Sequence, residues 1–241
     1  QCAILPLYQG ERLSGAALQL DRAASGALKA ALALGDFSAK PGESLMLPGA
    51  GAARRILLIG CGEAKKFDRA AARKFSQQLY RALESSQASE AMLHLAGFKL
   101  RDKEASWMLC YLARHLTVAG YRYTETVSKP KAAMKLARLV VNTDGALSTT
   151  QTNAALREGK AIGHGVNEAR NLANLPGNIC TPDYLARHAR AMGRGNPRLS
   201  VSVLDEKKMR ELGMGALLSV AAGSKQPARL IVMNYRGAKA G

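Results

Sequence analysis

The stretch Gln151 to Leu175 constrains this chain most, because it reads as one long helix with a hard stop. Ala155, Ile162, Val166, Ala169 and Ala173 recur at seven-, four- and three-residue steps and predict a single apolar stripe. Ser148 or Thr149 can cap the start, and Gln151 stands where a capping box needs it. Pro176 cannot continue the helix and biases Leu175 away from helical dihedrals. Thr181-Pro182-Asp183 then restarts one, with a threonine cap, proline in the first helical position and an acid near the positive end of the dipole. At ~1.5 Å per residue the first helix would run about 35 Å. A helix of that length without a sheet partner is expected to join two bodies.

On either side of it, strands and helices alternate. Residues 2–8 read as a buried strand and 16–34 as one Ala/Leu helix, with Gly26 inside it and Gly35 as a left-handed cap. Short strands are expected at 44–48 and 91–96. Arg55 to Gly60 is a continuous apolar strand, expected at the centre of a covered sheet. Helices are expected over 67–83, with Phe75, Leu79 and Leu83 inward, and over 104–119, with another strand at 137–141. This alternation predicts an α/β domain with a parallel or mixed sheet. Beyond the corner, a period-two strand at 199–204, a short helix ending at Gly213 and an apolar strand at 229–235 suggest a second βαβ arrangement. The expected domains are 1–150, a linker helix and corner at 151–177, and the opening of a second α/β domain at 178–241.

Ala169-Arg170-Asn171-Leu172-Ala173-Asn174-Leu175-Pro176, followed by Asn178-Ile179-Cys180-Thr181-Pro182, resembles the entry to the catalytic domain of the leucyl (cytosol) aminopeptidases. The likeness continues through Val203-Leu204-Asp205-Glu206, Met209 to Leu218, Gly223-Ser224 and Pro227 to Val232. Upstream, Asp21, Gly26-Ala27-Leu28, Gly35-Asp36-Phe37 and Arg55 to Gly60 are similar to that family's N-terminal domain. The resemblance implies a macro-type N-terminal domain, a cytoplasmic location and a homohexamer. It also implies a complete enzyme that removes N-terminal residues from peptides with two divalent metals, manganese or zinc. Such metals would lower the pKa of a bridging water and polarise the scissile carbonyl.

The family's metal ligands and catalytic lysine and arginine lie in motifs that this sequence does not contain. There is no Gly-Lys-Gly followed by Phe-Asp-Ser/Thr-Gly-Gly, and no Asn-Thr-Asp-Ala-Glu-Gly-Arg. Asn142-Thr143-Asp144 leads into Gly145-Ala146, in the wrong domain for that motif. No catalytic or metal-ligating residue is therefore assigned, and these 241 residues are expected to be inactive and metal-free alone. The opening Gln1 to Leu7 has no signal-peptide character and reads as a strand already under way. No apolar run approaches the ~20 residues needed to cross a bilayer as a helix. Four scattered cysteines without a CxxC pair are expected to be reduced thiols. The four histidines have no paired-ligand spacing, and no Gly-x-Ser-x-Gly elbow occurs.

Two binding signals stand apart. Gly60-Cys61-Gly62, with Lys65 and Lys66 beside it, could cradle an anion or form a tight turn. The formal net charge is +17, of which +9 falls on residues 1–150 and +8 on 151–241. Basic residues cluster at Arg54, Arg55, Lys65, Lys66, Arg69, Arg73 and Lys74, with Lys66, Arg69 and Arg73 at helical spacing. Others stand at Lys99, Arg101 and Lys103, and at Lys129, Lys131 and Lys135. The first cluster is the candidate nucleic-acid contact, for weak, sequence-independent DNA binding. Aromatic interleaving for base stacking is nearly absent. The alternative reading is a non-catalytic DNA- or nucleotide-binding α/β module.

Overall fold

The computed structural model describes residues 1–95, 98 and 104–237. Ala96, and the basic residues Lys99, Arg101 and Lys103, lie outside the described residues. The chain separates into two compact units, Gln1–Ala169 and Arg170–Gly241.

The first unit is built on a five-stranded mixed sheet in the order β2-β3-β1-β4-β5. The strands are β1 (Cys2–Leu7), β2 (Ser44–Ala50), β3 (Ala53–Gly60), β4 (Glu90–His94) and β5 (Arg138–Asn142). β1 is parallel to both β3 and β4, and β5 is parallel to β4. β2 is antiparallel to β3 and forms one edge. The central strand is thus β1, and β3 lies one place towards the edge. Both have a run of buried residues because each has neighbours on both sides and helices over both faces.

The two faces are chemically distinct. Leu5, Ile56 and Leu58 pack with Ala17, Leu28 and Phe37 from the segment between β1 and β2. Ile4, Leu57 and Ile59 pack with Phe75, Leu79, Leu83, Met108 and Leu112 from α3 (Arg69–Ser85) and α4 (Ala105–Ala119). The period-two side-chain alternation of the strands divides these sets. Phe75 meets Phe98 edge-on at 4.8 Å, and Phe67 lies between Phe98 and Tyr8 at 5.7 and 5.5 Å.

The single helix expected over 16–34 is two: α1 (Gly15–Ala23) and α2 (Ala27–Leu34). Ser25 and Gly26 adopt φ of 55° and 83°, which an α-helix cannot contain. Buried Asp21 rewards the break, because its Oδ1 accepts the N–H groups of Leu28 and Lys29 at 3.0 and 3.1 Å. The last turn of one helix thereby caps the first turn of the next. The strand expected at 44–48 runs further, since β2 continues through Ala50.

The long helix is α5 (Thr149–Asn174). Its capping box is formed: Gln151 Oε1 accepts from the Ser148 N–H, and the Gln151 N–H donates to Ser148 Oγ. The expected apolar stripe does not coincide with the buried face. Ile162 and Val166 are exposed, and the buried face is Ala155, Gly159 and Gly163. A Cβ on Gly159 would lie 2.2 Å from the Cys110 carbonyl oxygen, and one on Gly163 would lie 2.6 Å from Thr117 Cβ. The glycines let α5 approach α4 closer than any side chain would permit. Asn167 then donates to the Thr117 carbonyl at 2.9 Å.

The second unit holds α6 (Pro182–Arg194), β6 (Leu199–Leu204), α7 (Glu206–Glu211), α8 (Gly215–Ala221) and β7 (Leu230–Tyr235). Thr181 caps α6 as its sequence predicts, accepting from the Tyr184 N–H at 3.2 Å. β6 and β7 are antiparallel, with Leu204 opposite Leu230, which overturns the βαβ expectation. Two short helices joined through Gly213, at φ 72°, return the chain to the end of β6 that it left. β7 is also less buried than its apolar sequence suggests: Val232, Met233 and Tyr235 are exposed. Arg229 Nε donates to Asp183 Oδ1 at 2.6 Å, and the Ala228 N–H donates to Glu206 Oε1 at 2.8 Å, fixing the entry to β7.

Candidate functional site

The basic cluster is distributed over three elements. Arg54 and Arg55 begin β3, Lys65 and Lys66 lie in a 3-10 turn after that strand, and Arg69, Arg73 and Lys74 are on α3. At ~3.3 Å per residue the length of β3 separates Arg54 and Arg55 from the Lys65 end by roughly 20 Å. α3 runs back from the Lys65 end, so Lys65, Lys66, Arg69, Arg73 and Lys74 are the group that the fold gathers there. All five are exposed.

Lys66 does not share a helix face with Arg69 and Arg73. Asp68 caps α3 by accepting the Ala71 N–H at 2.9 Å, so the helix starts after Lys66. Lys66 Nζ instead pairs with Glu63 at 2.7 Å. Arg69 and Arg73, four residues apart, do share a face. Of the other clusters, Lys131 pairs with Glu84 at 3.0 Å and Lys135 with Gln87 Oε1.

The structure adds an aromatic ladder to this region. Trp107, Tyr111 and His115 recur every fourth residue on α4 and stack at 5.2 and 6.2 Å. Arg69 lies 5.8 Å over Trp107, and Arg114 lies 4.8 Å over Tyr111, both within cation–π range. The i, i+4, i+8 spacing of these three rings was the available sequence signal. Burial, followed by the charge of Arg114, holds His115 below the ordinary imidazole pKa.

The Gly60-Cys61-Gly62 segment is a turn whose donors are already used. The N–H groups of Gly60, Cys61 and Gly62 donate to the carbonyls of Glu43, Leu7 and Ala39 at 2.9, 2.8 and 2.8 Å. None is left for an anion. A Cβ at Gly60 would lie 2.1 Å from the Lys40 carbonyl oxygen, and Gly62 has φ 76° beside Pro41. Both glycines are thus explained by close packing and backbone conformation.

All four cysteines are free. Burial pushes the thiols of Cys2, Cys61 and Cys110 above their usual range, so none is an activated nucleophile. Among the described residues, no group of three or more His, Cys, Asp or Glu side chains is placed to hold a metal. The described residues therefore do not fit a two-metal centre. Among the described residues, no helix is long and apolar enough to cross a membrane.

An α/β unit with a mixed sheet, followed by a smaller αβ unit entered through a Pro-Gly corner, defines the class. Residues 4–130 match the N-terminal domain of the cytosol aminopeptidase family, and residues 167–241 match its catalytic domain. The chain belongs to the cytosol aminopeptidase family. A probable cytosol aminopeptidase of Alkalilimnicola ehrlichii is 38% identical over 99% of this chain, and one of Nitrosococcus oceani is 37% identical over 98%. The chain spans about half the length of these relatives, 48% of each. Among solved structures, a variant of tomato leucine aminopeptidase superposes with a TM-score of 0.75 at 24% identity, over 99% of this chain and 48% of that one. The bottromycin maturation enzyme BotP in complex with Mn gives 0.73 at 25% identity, over 98% and 45%. These likenesses support an α/β aminopeptidase fold with a mixed sheet.

Proposed function

We propose that the complete protein is a leucyl aminopeptidase, a metal-dependent hydrolase that removes N-terminal residues from peptides with a free amino end. The observation that carries this reading is the order of the two family matches on one chain: N-terminal domain first, catalytic domain from residue 167. Two divalent ions, manganese or zinc, would supply Lewis acidity and an activated water. Their ligands are not among these residues, so the 241-residue chain binds no stoichiometric metal and does not turn over substrate by itself. Residues 1–150 form the N-terminal domain, 151–177 the linker helix and corner, and 178–241 the opening of the catalytic domain. The complete protein would work in the cytoplasm as a homohexamer, as the family resemblance implies. Relatives named cytosol aminopeptidases support the location. Light scattering on the complete protein measures the assembly, and hydrolysis of leucyl-p-nitroanilide with and without divalent metal tests the activity.

A second property rests on the exposed basic row. Weak, sequence-independent DNA binding runs through Lys65, Lys66, Arg69, Arg73 and Lys74, with Arg54 and Arg55 contacting DNA only if it spans the length of β3. Counterion release makes the affinity fall with salt at a slope of roughly −0.9 per phosphate contact. Replacing Arg69, Arg73 and Lys74 with glutamine should flatten that slope by up to about 3 and weaken unrelated duplexes equally. A fluorescence-anisotropy titration at two salt concentrations reads both. No binding at ~50 mM salt, or binding unchanged in the triple variant, removes the idea.

A further inference from the structure

The first unit has a crevice of about 370 Å³ at the carboxyl ends of its parallel strands. It lies where the sheet changes direction. From β1 the chain passes through α1 and α2, over one face, to β2 and β3 on one side, and from β4 it passes through α4, over the other face, to β5 on the opposite side. β1 and β4 are therefore neighbours whose outgoing connections diverge, the place where open α/β sheets take ligands. Residues from the β1–α1 segment, β4 and β5 line the same space. Its volume is at the small end of the ~300–1,000 Å³ usual for small-molecule sites.

The lining has two polar poles and an apolar wall. One pole is Asp144, just beyond β5. Its Oδ1 accepts from Asn142 Nδ2 at 2.7 Å, and its Oδ2 lies 3.6 Å from His94 Nδ1 at the end of β4. These neighbours orient the carboxylate and leave it able to accept further hydrogen bonds. The other pole is the start of α1 with Arg12 beside it. Ser14 makes no side-chain cap there, and the first turn carries no acidic residue. The N–H groups of Gly15 and Ala16 have no acceptor among the described residues, and a Cβ on Gly15 would meet nothing within 4 Å. Leu5, Leu7, Leu13 and Leu32 supply the apolar wall.

We propose that this crevice binds a small zwitterion, an apolar α-amino acid or its dipeptide. The ligand's ammonium would lie on Asp144, and its carboxylate on Arg12 and the first turn of α1. A phosphate or nucleotide fits less well: Glu11 and Asp144 put two carboxylates in the lining against the single guanidinium of Arg12. The inference needs only the first unit and does not depend on the peptidase reading.

The test is calorimetry on the 241-residue chain with L-leucine, leucylglycine, leucinamide, N-acetylleucine and inorganic phosphate. Leucine or leucylglycine should bind with a Kd of about 1 mM or tighter. Leucinamide, N-acetylleucine and phosphate should each bind at least roughly tenfold more weakly, because each lacks one of the two poles. Asp144→Asn, which tolerates the φ of 47° at this position, and Arg12→Gln should each weaken the zwitterion at least about tenfold with unchanged thermal unfolding. Amide shift mapping with leucine should move Gly15, Ala16 and Asp144, a readout independent of the variants. No binding of either zwitterion at ~10 mM, phosphate binding in their place, or affinity unchanged in both variants overturns the proposal.

Discussion

Gly159 and Gly163 show how one missing atom sets a helix position. Glycine in a helix interior costs about 1 kcal/mol relative to alanine, so helix propensity alone favours Gly159→Ala. Packing opposes it, because the new Cβ would be driven to within 2.2 Å of the Cys110 carbonyl oxygen, a backbone atom that cannot rotate away. Overpacking of a close-packed contact costs about 1–3 kcal/mol, and here two helices must separate. We expect Gly159→Ala to destabilise the chain in urea unfolding. Increased stability would show that α4 and α5 are not held this closely. The sequence could not reveal this face, because a search for apolar periodicity scores Ile162 and Val166 and passes over glycine. It did reveal the ends of the helix, since Ser148, Gln151, Pro176 and Thr181 act through local backbone chemistry.

At the scale of elements, the strands of the first sheet were legible and their neighbours were not. Runs such as Arg55 to Gly60 announce burial, but the order that puts β1 at the centre depends on crossovers between distant segments. The break at Ser25 and Gly26 was missed because its compensation, the buried carboxylate of Asp21, acts across the turn. The antiparallel β6–β7 pair was missed for a related reason: an apolar strand after a helix looks the same whether the chain crosses over or turns back. The candidate basic contact was only partly legible. Spacing found Arg69 and Arg73, while the Asp68 cap that removes Lys66 from their face stands between Lys66 and Arg69.

One link between elements makes a pH prediction. Glu84 on α3 accepts from Lys131 at 3.0 Å, from Tyr80 at 3.3 Å and from Arg122 at 2.5 Å. The hydrogen bond from Lys131, with the charges of Lys131 and Arg122, holds its carboxyl below the ordinary glutamate value. A carboxylate with a depressed folded-state pKa contributes stability above its unfolded pKa, about 4.3, and loses it as pH falls through the folded value. The clamp should therefore be fully present at neutral pH and weaken below about pH 4. Glu84→Gln should lower the melting temperature at pH 7 and narrow its gap to the parent chain under acid. A gap that stays constant from pH 7 to pH 3 would show that Glu84 is not engaged.

For the molecule as a whole, the two units and the helix running through their boundary organise the proposed enzyme. Limited proteolysis should cut first near residues 143–150 or 176–181. Early cleavage inside Arg55–Gly60 would contradict the domain assignment, since that strand is buried between β1 and β2. The proposed function makes these residues part of a metal-dependent aminopeptidase whose metal ligands they do not supply. The most direct measurement compares leucyl-p-nitroanilide hydrolysis by the complete protein and by residues 1–241, each with manganese or zinc and with a chelator. Metal-dependent turnover by the complete protein and none by the 241-residue chain is the expected result. Turnover by the shorter chain, or none by the metal-loaded complete protein, would contradict it.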